Sequence, residues 1–326
     1  MFLLFLWFLS IQVPSKPAPA PNEWRKLIGE YGAQPVYILE RDGKLVARFG
    51  LSEESTLSEV SNGMFTAQGG RHNGERISFR AGKEGRASQI EIAGVLVERN
   101  AVEPAPGVGQ LRITPLRPIE ELRREAIAAR PPPESGERLP FDLVELTKLD
   151  SGIRLEIRYA TTNNFLGSRL YTQARAFLQR PAAEALLRAH RALAGKGFGL
   201  LIHDAYRPWF VTKIFWDATP ADKKWLVADP AQGSRHNRGA AVDLTLYELK
   251  TGKPVEMVST YDESTPRAHA DYPGGASLQR WHRSVLREAM ESEGFVQNPQ
   301  EWWHYDFKDW NRYPIGNQRF EEIPRK

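Results

Sequence analysis

Few side chains in this sequence are equipped for hydrolytic or metal chemistry, and their spacing is informative. The chain has 7 His and no Cys, which removes disulfides, cysteine-held metal and thiol catalysis, so any metal must rest on His, Asp or Glu. His72 falls in a polar turn, His269 in a long loop, and His190 and His282 in helical stretches among arginines; all four read as solvated or structural. His203, on a strand before Tyr206-Arg207-Pro208, reads as a core or supporting residue. His236 and Asp243 differ, because they bracket SRHNRGAAVD. Fully extended, the seven steps along the chain from one to the other would hold the two side chains about 23 Å apart. Only a fold-back lets both reach one ion, and Gly239 can adopt the backbone conformation that such a turn needs. Glu301 and His304 form EWWH ahead of the strand-like YDF. Positions three apart on a regular strand face opposite ways, so these two share a site only if the backbone leaves the pleat near Glu301, where Pro299 favours a break. Two His and one carboxylate leave a fourth zinc position open for water, the pattern of a catalytic site, and Glu301 would be the base acting on that water.

An HxxxxxxD pair or an ExxH is common alone; SxHxxGxAxD with an upstream YRP and a downstream EWWH, in that order, is specific. Residues from about 141 to 312 resemble the zinc D,D-peptidases, the family that includes the D-Ala-D-Ala dipeptidases of vancomycin resistance. The resemblance runs through YATTNNFLG, HDAYRP, SRHNRGAAVDLTLYELKTGKPV, the SxxD of STYD, and EGFVQNPQEWWHY. It implies one Zn2+ per chain held by His236, Asp243 and His304, with Glu301 as general base and acid and Arg207 steadying the oxyanion. It places Ser234 and Asp262 along the substrate pocket, where a carboxylate such as Asp262 can hold the ammonium group of a dipeptide. Arg235 stands where the vancomycin-resistance enzymes commonly carry a small polar residue, and the stretch between YRP and SxH is shorter here. The implied activity is hydrolysis of D-alanyl-D-alanine, a small D-amino-acid dipeptide. The alternatives are a D,D-carboxypeptidase or endopeptidase on peptidoglycan peptides, and a non-catalytic cell-wall or zinc-binding module. A structural zinc site needs neither Glu301 nor Arg207, which weighs against the last.

These residues must be positioned by an α+β domain over 139–326, the catalytic fold of the zinc D,D-peptidases. LVELTKL and IRLEIRYA read as strands, a helix follows from Pro181 to Ala194, and FGLLIHDAY reads as a buried strand. A helical WFVTKIFWDA, a strand AAVDLTLYEL, a loop over 250–278, a helix LQRWHRSVLREAMESEG and a strand WWHYDF complete the half. Along the second strand Val242, Leu244 and Leu246 alternate with Asp243, so Asp243 is expected to point away from the core-facing set. Residues 23–117 carry short β-rich runs between turn signals such as Asp42-Gly43 and Asn73-Gly74, a small all-β, barrel-like domain. It loosely resembles the lipocalin-like barrels appended to secreted bacterial hydrolases. Between the two, residues 118–138 combine a short charged helix with the Pro-rich linker PPPESG.

Over its 326 residues the chain is 41% hydrophobic and 26% charged, an ordinary globular composition with room for about two domains. A net charge of +4 with no basic run gives nucleic-acid binding little support. The run MFLLFLWFLSIQV falls short of the roughly 20 residues that span a bilayer and suits a secretory signal, so residues 1–22 are expected to direct export to the periplasm or cell envelope. If that run is not a functional signal, the location is cytoplasmic. No stable transmembrane helix is expected, and the oligomeric state is open.

Overall fold

The computed structural model describes residues 15–50, 52–82, 85–100 and 112–324. The apolar run of the expected signal segment lies outside the described residues. No described helix is long and apolar enough to cross a membrane.

After a short helix α1 (Asn22–Arg25), eight antiparallel strands follow in sequential order: β1 (Gly29–Tyr31), β2 (Val36–Arg41), β3 (Lys44–Phe49), β4 (Glu53–Ser61), β5 (Met64–Gln68), β6 (Arg76–Ala81), β7 (Ala87–Ile92) and β8 (Val95–Glu98). The turns Asp42-Gly43 and Asn73-Gly74 expected from the sequence place their glycines at positive φ. The meander closes nearly on itself, because Gly32 N–H donates to Glu98 O at 2.9 Å and Asn100 N–H to Glu30 O at 2.8 Å. Inside lies a separate apolar cluster that includes Tyr31, Ile38, Leu45, Phe65, Ile77 and Ile90.

The rest of the chain builds an α+β unit on a five-stranded sheet of order β10-β12-β13-β15-β14. Its strands are β10 (Arg154–Leu155), β12 (Phe198–Asp204), β13 (Ala241–Glu248), β14 (Phe295–Asn298) and β15 (Glu301–Phe307), while β9 (Leu143–Glu145) and β11 (Phe177–Gln179) pair separately. The helices are α2 (Ile119–Ala128), α3 (Leu146–Leu149), α4 (Arg180–Ala194), α5 (Trp209–Ala218) and α6 (Ser277–Glu291). Helices α4 and α6 pack on each other and on β12, β13 and β14. Leu186, Leu193, Val285 and Leu286 from the helices share one core with Leu200, Ile202, Val242, Leu244 and Leu246 from the strands.

Two strand expectations shrink. Only Leu143–Glu145 of LVELTKL is extended, with Leu146–Leu149 turning helical, and only Arg154–Leu155 of IRLEIRYA is strand, with Arg158–Ala160 forming a 3-10 turn. In both segments the apolar alternation serves burial of single side chains, Leu146, Ile153, Ile157 and Tyr159, within a winding path. A strand that periodicity did not show, β14, pairs with β15 beyond the α6 turn.

The segment 112–138 is tied to the same core. Ile119, Leu122 and Ala126 of α2 belong to it, α2 packs on α5, and Glu134 accepts from Ile315 N–H at 2.7 Å and pairs with Arg238 at 2.8 Å.

Candidate active site

The site forms on the sheet face opposite α4 and α6. The antiparallel register sets Asp243 on β13 directly across from His304 on β15, so the two side chains project from one face as cross-strand neighbours. The expectation that Asp243 points away from the core-facing leucines holds, yet it is not thereby exposed. Loops cover this face too, and Asp243 is buried.

His236 arrives by the expected fold-back. Residues His236–Arg238 form a 3-10 turn that ends at Gly239 with φ 63° and ψ 27°. A Cβ there would meet Leu143 Cδ2 at 2.7 Å, so conformation and space both select glycine. Ser234 Oγ accepts from His236 N–H at 3.2 Å and starts this turn. Asn237 Nδ2 donates to Arg207 O at 2.7 Å, and Arg207 N–H to His236 O at 3.1 Å, which staples the YRP segment to the turn.

Glu301 also leaves the pleat as expected. Asn298 pairs with Glu301 whereas Gln297 pairs with Tyr305, so β15 bulges over Trp302–His304. The irregularity brings Glu301 Oε2 to 3.7 Å from His304 Nδ1, and Asn298 Nδ2 donates to the same oxygen at 2.9 Å. Burial pushes the Glu301 carboxyl above its ordinary range, with Asp243 adding to the push against the pull of His304. Its side chain keeps 40% of its accessible area at the cleft wall, so solvent relieves part of that shift.

Three ligand atoms converge. His236 Nε2 lies 3.2 Å from His304 Nδ1 and 3.5 Å from Asp243 Oδ1, and His304 Nδ1 lies 2.9 Å from Asp243 Oδ1. A zinc-sized tetrahedron with bonds near 2.0–2.1 Å has ligand atoms roughly 3.3 Å apart, so the triangle already has the dimensions of a metal site. It is the one such cluster of His, Cys, Asp and Glu among the described residues. Each candidate ligand is oriented from behind, as a metal ligand would be. The ring of His236 bonds Ala205 O through Nδ1 at 2.7 Å, that of His304 bonds Asp306 Oδ1 through Nε2 at 3.0 Å, and Tyr261 donates to Asp243 Oδ2 at 3.1 Å. Burial would raise the Asp243 carboxyl, but the His236 and His304 imidazoles outweigh it and hold the group well below the carboxylate range. Burial likewise disfavours charge on His304, and the Asp243 and Asp306 carboxylates reverse that to hold its pKa far above the ordinary histidine value.

Around the triangle opens a cleft of about 660 Å³ that takes in Arg207, Ser234, Asp262, Glu301, Trp225 and Trp303. Arg207 is buried, with Nε and Nη2 on Asp204 Oδ2 at 3.0 and 2.7 Å and its plane over Phe215 and Tyr159 at 4.7 and 5.3 Å. Desolvation opposes its charge, and Asp204 more than restores it. Asp262 sits at φ 62°, a conformation rare outside glycine, and accepts from Tyr159 at 3.1 Å. Burial first, then Asp243 and Glu301, push its carboxyl up to about 8. Arg235 turns away from Asp262: its Nε meets Asp306 Oδ2 at 3.1 Å and its guanidinium covers Trp310 at 4.7 Å.

All seven expected residues, His236, Asp243, His304, Glu301, Arg207, Ser234 and Asp262, therefore line one cleft. A family model described as D-Ala-D-Ala dipeptidase matches residues 140–325. The chain belongs to this dipeptidase family. D-Alanyl-D-alanine dipeptidases of Escherichia coli, Enterococcus faecium and Streptomyces coelicolor are 34%, 35% and 34% identical to it. These alignments cover 55%, 54% and 52% of this chain and 91%, 95% and 92% of the relatives. The family is one of metallopeptidases, and the β-rich segment before residue 140 lies outside the match.

The dipeptidase-family motifs did not reveal the supporting residues Asp204, Tyr159, Tyr261 and Asp306. Two of them had a sequence signal: Asp204 stands three before Arg207 in HDAYRP, and Asp306, two after His304, must share its strand face. The tyrosines lie within YATTNNFLG and STYD, but nothing in those runs showed that their hydroxyls would meet Asp262 and Asp243. The remaining histidines are structural: His203 stacks on Tyr261 at 4.5 Å, His72 on Phe49 at 3.8 Å, and His190 Nδ1 accepts from Leu200 N–H at 3.3 Å. His282 Nδ1 bonds Glu256 O at 3.1 Å, and His269 is exposed at the cleft edge.

Proposed function

We propose that the chain is a zinc-dependent dipeptidase that hydrolyses D-alanyl-D-alanine, with zinc on His236, Asp243 and His304. The observation that carries the reading is the triangle of ligand atoms with Glu301 Oε2 at 3.7 Å from its His304 corner. Bound there, zinc lowers the pKa of water toward roughly 7 and polarises a carbonyl. Glu301 takes the proton from the attacking water on Oε2 and returns it to the leaving amine, and its raised pKa suits a group that must both accept and donate. Arg207 Nη1, the guanidinium nitrogen that Asp204 does not engage, donates to the oxygen on which negative charge develops. The two hydrogen bonds to Asp204 Oδ2 and the rings of Phe215 and Tyr159 fix that donor before substrate arrives.

Asp262 receives the substrate ammonium. Its carboxylate is short of positive partners, as its raised pKa reports, and a cation beside it restores the ionised form. An acylated amine offers no charge and leaves Asp262 uncompensated. The cleft volume lies within the range of roughly 300–1,000 Å³ typical of ligand pockets and exceeds what a dipeptide fills, so charge at Asp262 rather than tight walls must exclude longer chains. A D,D-carboxypeptidase is the second reading, favoured by that volume alone. Rates for D-Ala-D-Ala, its N-acetyl derivative and a stem pentapeptide decide: free dipeptide is expected to exceed the other two by about a hundredfold in kcat/KM, roughly 2.7 kcal/mol. Equal kcat/KM for free and acetylated dipeptide would transfer the assignment to a carboxypeptidase. Export to the periplasm or cell envelope remains part of the proposal and rests on residues 1–22 alone.

A further inference from the structure

Glu301 opens β15 where the strand pairing breaks, and little holds its carboxylate in place. The side chain keeps 40% of its accessible area, and His304 Nδ1 lies 3.7 Å away, beyond hydrogen-bond reach. A glutamate side chain has several rotatable bonds, and ordering them costs entropy that some contact must offset. Among the described residues one side chain donates a hydrogen bond to this carboxylate: Asn298, through Nδ2 to Oε2 at 2.9 Å.

The asparagine is itself fixed. Gln300 N–H donates to Asn298 Oδ1 at 3.0 Å, which settles the orientation of the amide: its oxygen is taken as an acceptor and its N–H groups are left to face Glu301. Asn298 ends β14 and pairs with Glu301 at the register break. Pro299 O accepts from Ala270 N–H at 2.9 Å, which ties the turn between them to the loop that follows Asp262. The asparagine side of this pair lines the same cleft as the metal triangle. A carboxylate oxygen has two lone-pair sites; Asn298 fills one on Oε2 and leaves the other for a proton. An amide does not titrate, so its hold persists while the carboxylate takes up a proton and gives it back.

We propose that Asn298 is a positioning residue for the reaction, holding Glu301 Oε2 toward the metal triangle in both protonation states. This rests on the role given to Glu301 above. The alternative is that Asn298 only forms the turn, since an asparagine side chain that accepts from the backbone two residues on is a common way to stabilise one. The two roles use different ends of the amide: the turn needs only Oδ1, and Glu301 needs only Nδ2.

Asn298→Ser separates them, because a serine hydroxyl can still accept from Gln300 N–H but ends one bond short of the lost amide nitrogen. With the zinc-loaded full chain and D-Ala-D-Ala, kcat is expected to fall about tenfold to a hundredfold. KM should stay within about twofold of the parent's, with zinc content and melting temperature unchanged. In a Glu301→Gln background the same substitution should change kcat by less than about twofold, since its effect passes through Glu301. A kcat equal to the parent's, or a loss undiminished in the Glu301→Gln background, overturns the proposal. If Asn298→Ser fails to fold, Asn298→Asp decides on the same readouts, because it keeps the acceptor and removes the donor. A crystal structure of the serine variant needs no turnover: the Glu301 carboxylate should leave its place beside His304 while β14 and β15 stay paired. An unmoved carboxylate overturns the proposal. A displaced one, in a protein whose unmodified form hydrolyses no D-Ala-D-Ala, would sink the dipeptidase reading and leave the placement of Glu301 by Asn298 standing.

Discussion

Arg207, Asp243 and His304, the candidate catalytic and metal-holding side chains, are each held by a neighbour that the sequence reading did not single out. Asp204 fixes Arg207, Tyr261 fixes Asp243, and Asp306 fixes His304. The sequence exposed the candidate reacting residues because their types and order are those that the proposed chemistry needs. It carried an unread signal for the holders only where they fall two or three residues from a partner, as Asp306 and Asp204 do. Arg235 illustrates the limit: the sequence shows a charge where relatives of this type commonly carry a small polar residue, and only the folded chain pairs it with Asp306. His203 sits behind Tyr261, and burial together with Arg158 lowers its pKa from 6.5 to about 4. The unfolded chain therefore binds a proton there between about pH 6.5 and pH 4 that the native chain refuses. Its contribution to stability is complete above about pH 6.5, is lost as pH falls toward 4, and is constant below. A shift of that size corresponds to about 3 kcal/mol, and His203→Gln should flatten that part of a urea-denaturation series against pH. An unchanged acid slope in the variant would show that other groups cause it.

The elements matter through register and two breaks. Antiparallel pairing of β13 with β15 brings Asp243 and His304 opposite each other, a relation that alternation on each strand permits but cannot specify. The breaks were legible: Gly239 ends the His236 turn, and the bulge over Trp302–His304 returns Glu301 to the site. Each is signalled by a residue type, glycine in one case and nearby proline in the other. The short strands β9 and β10 were overread, because a winding buried segment shows the same apolar spacing as a strand. Gly239→Ala tests the first break. A non-glycine residue at φ 63° costs roughly 1–2 kcal/mol, and the new Cβ meets Leu143 Cδ2 at 2.7 Å. Denaturant unfolding should show a loss of at least about 1 kcal/mol with weakened zinc binding, and an alanine variant equal to the parent in both would remove this turn from the account.

Across the whole molecule, the meander and the catalytic sheet have separate apolar cores, joined where Glu40 meets the start of α6. Ser277 N–H donates to Glu40 Oε2 at 2.7 Å, and Arg280 Nη2 to Glu40 O at 2.6 Å. The composition change that marks the β-rich segment is real, but the Pro-rich stretch is a poor place to cut, since α2 ahead of it packs into the catalytic core. A chain starting at Arg112 should fold and hydrolyse a dipeptide. One starting at Pro140 gives up the burial of Ile119 and Leu122, roughly 3–6 kcal/mol together, and should melt at a much lower temperature; equal melting of the two would show that α2 is dispensable. Neither cut touches the seven residues of the cleft. The most direct test of the central claim is to strip the full chain of metal, add zinc back stepwise, and follow both bound zinc and D-alanine released from D-Ala-D-Ala, in parallel with Glu301→Gln. The account predicts that activity rises linearly to a plateau at one zinc per chain, and that Glu301→Gln binds the same single zinc while its rate stays about 10²–10⁴-fold lower. Full activity in the stripped protein, or near-normal turnover by Glu301→Gln, would contradict it.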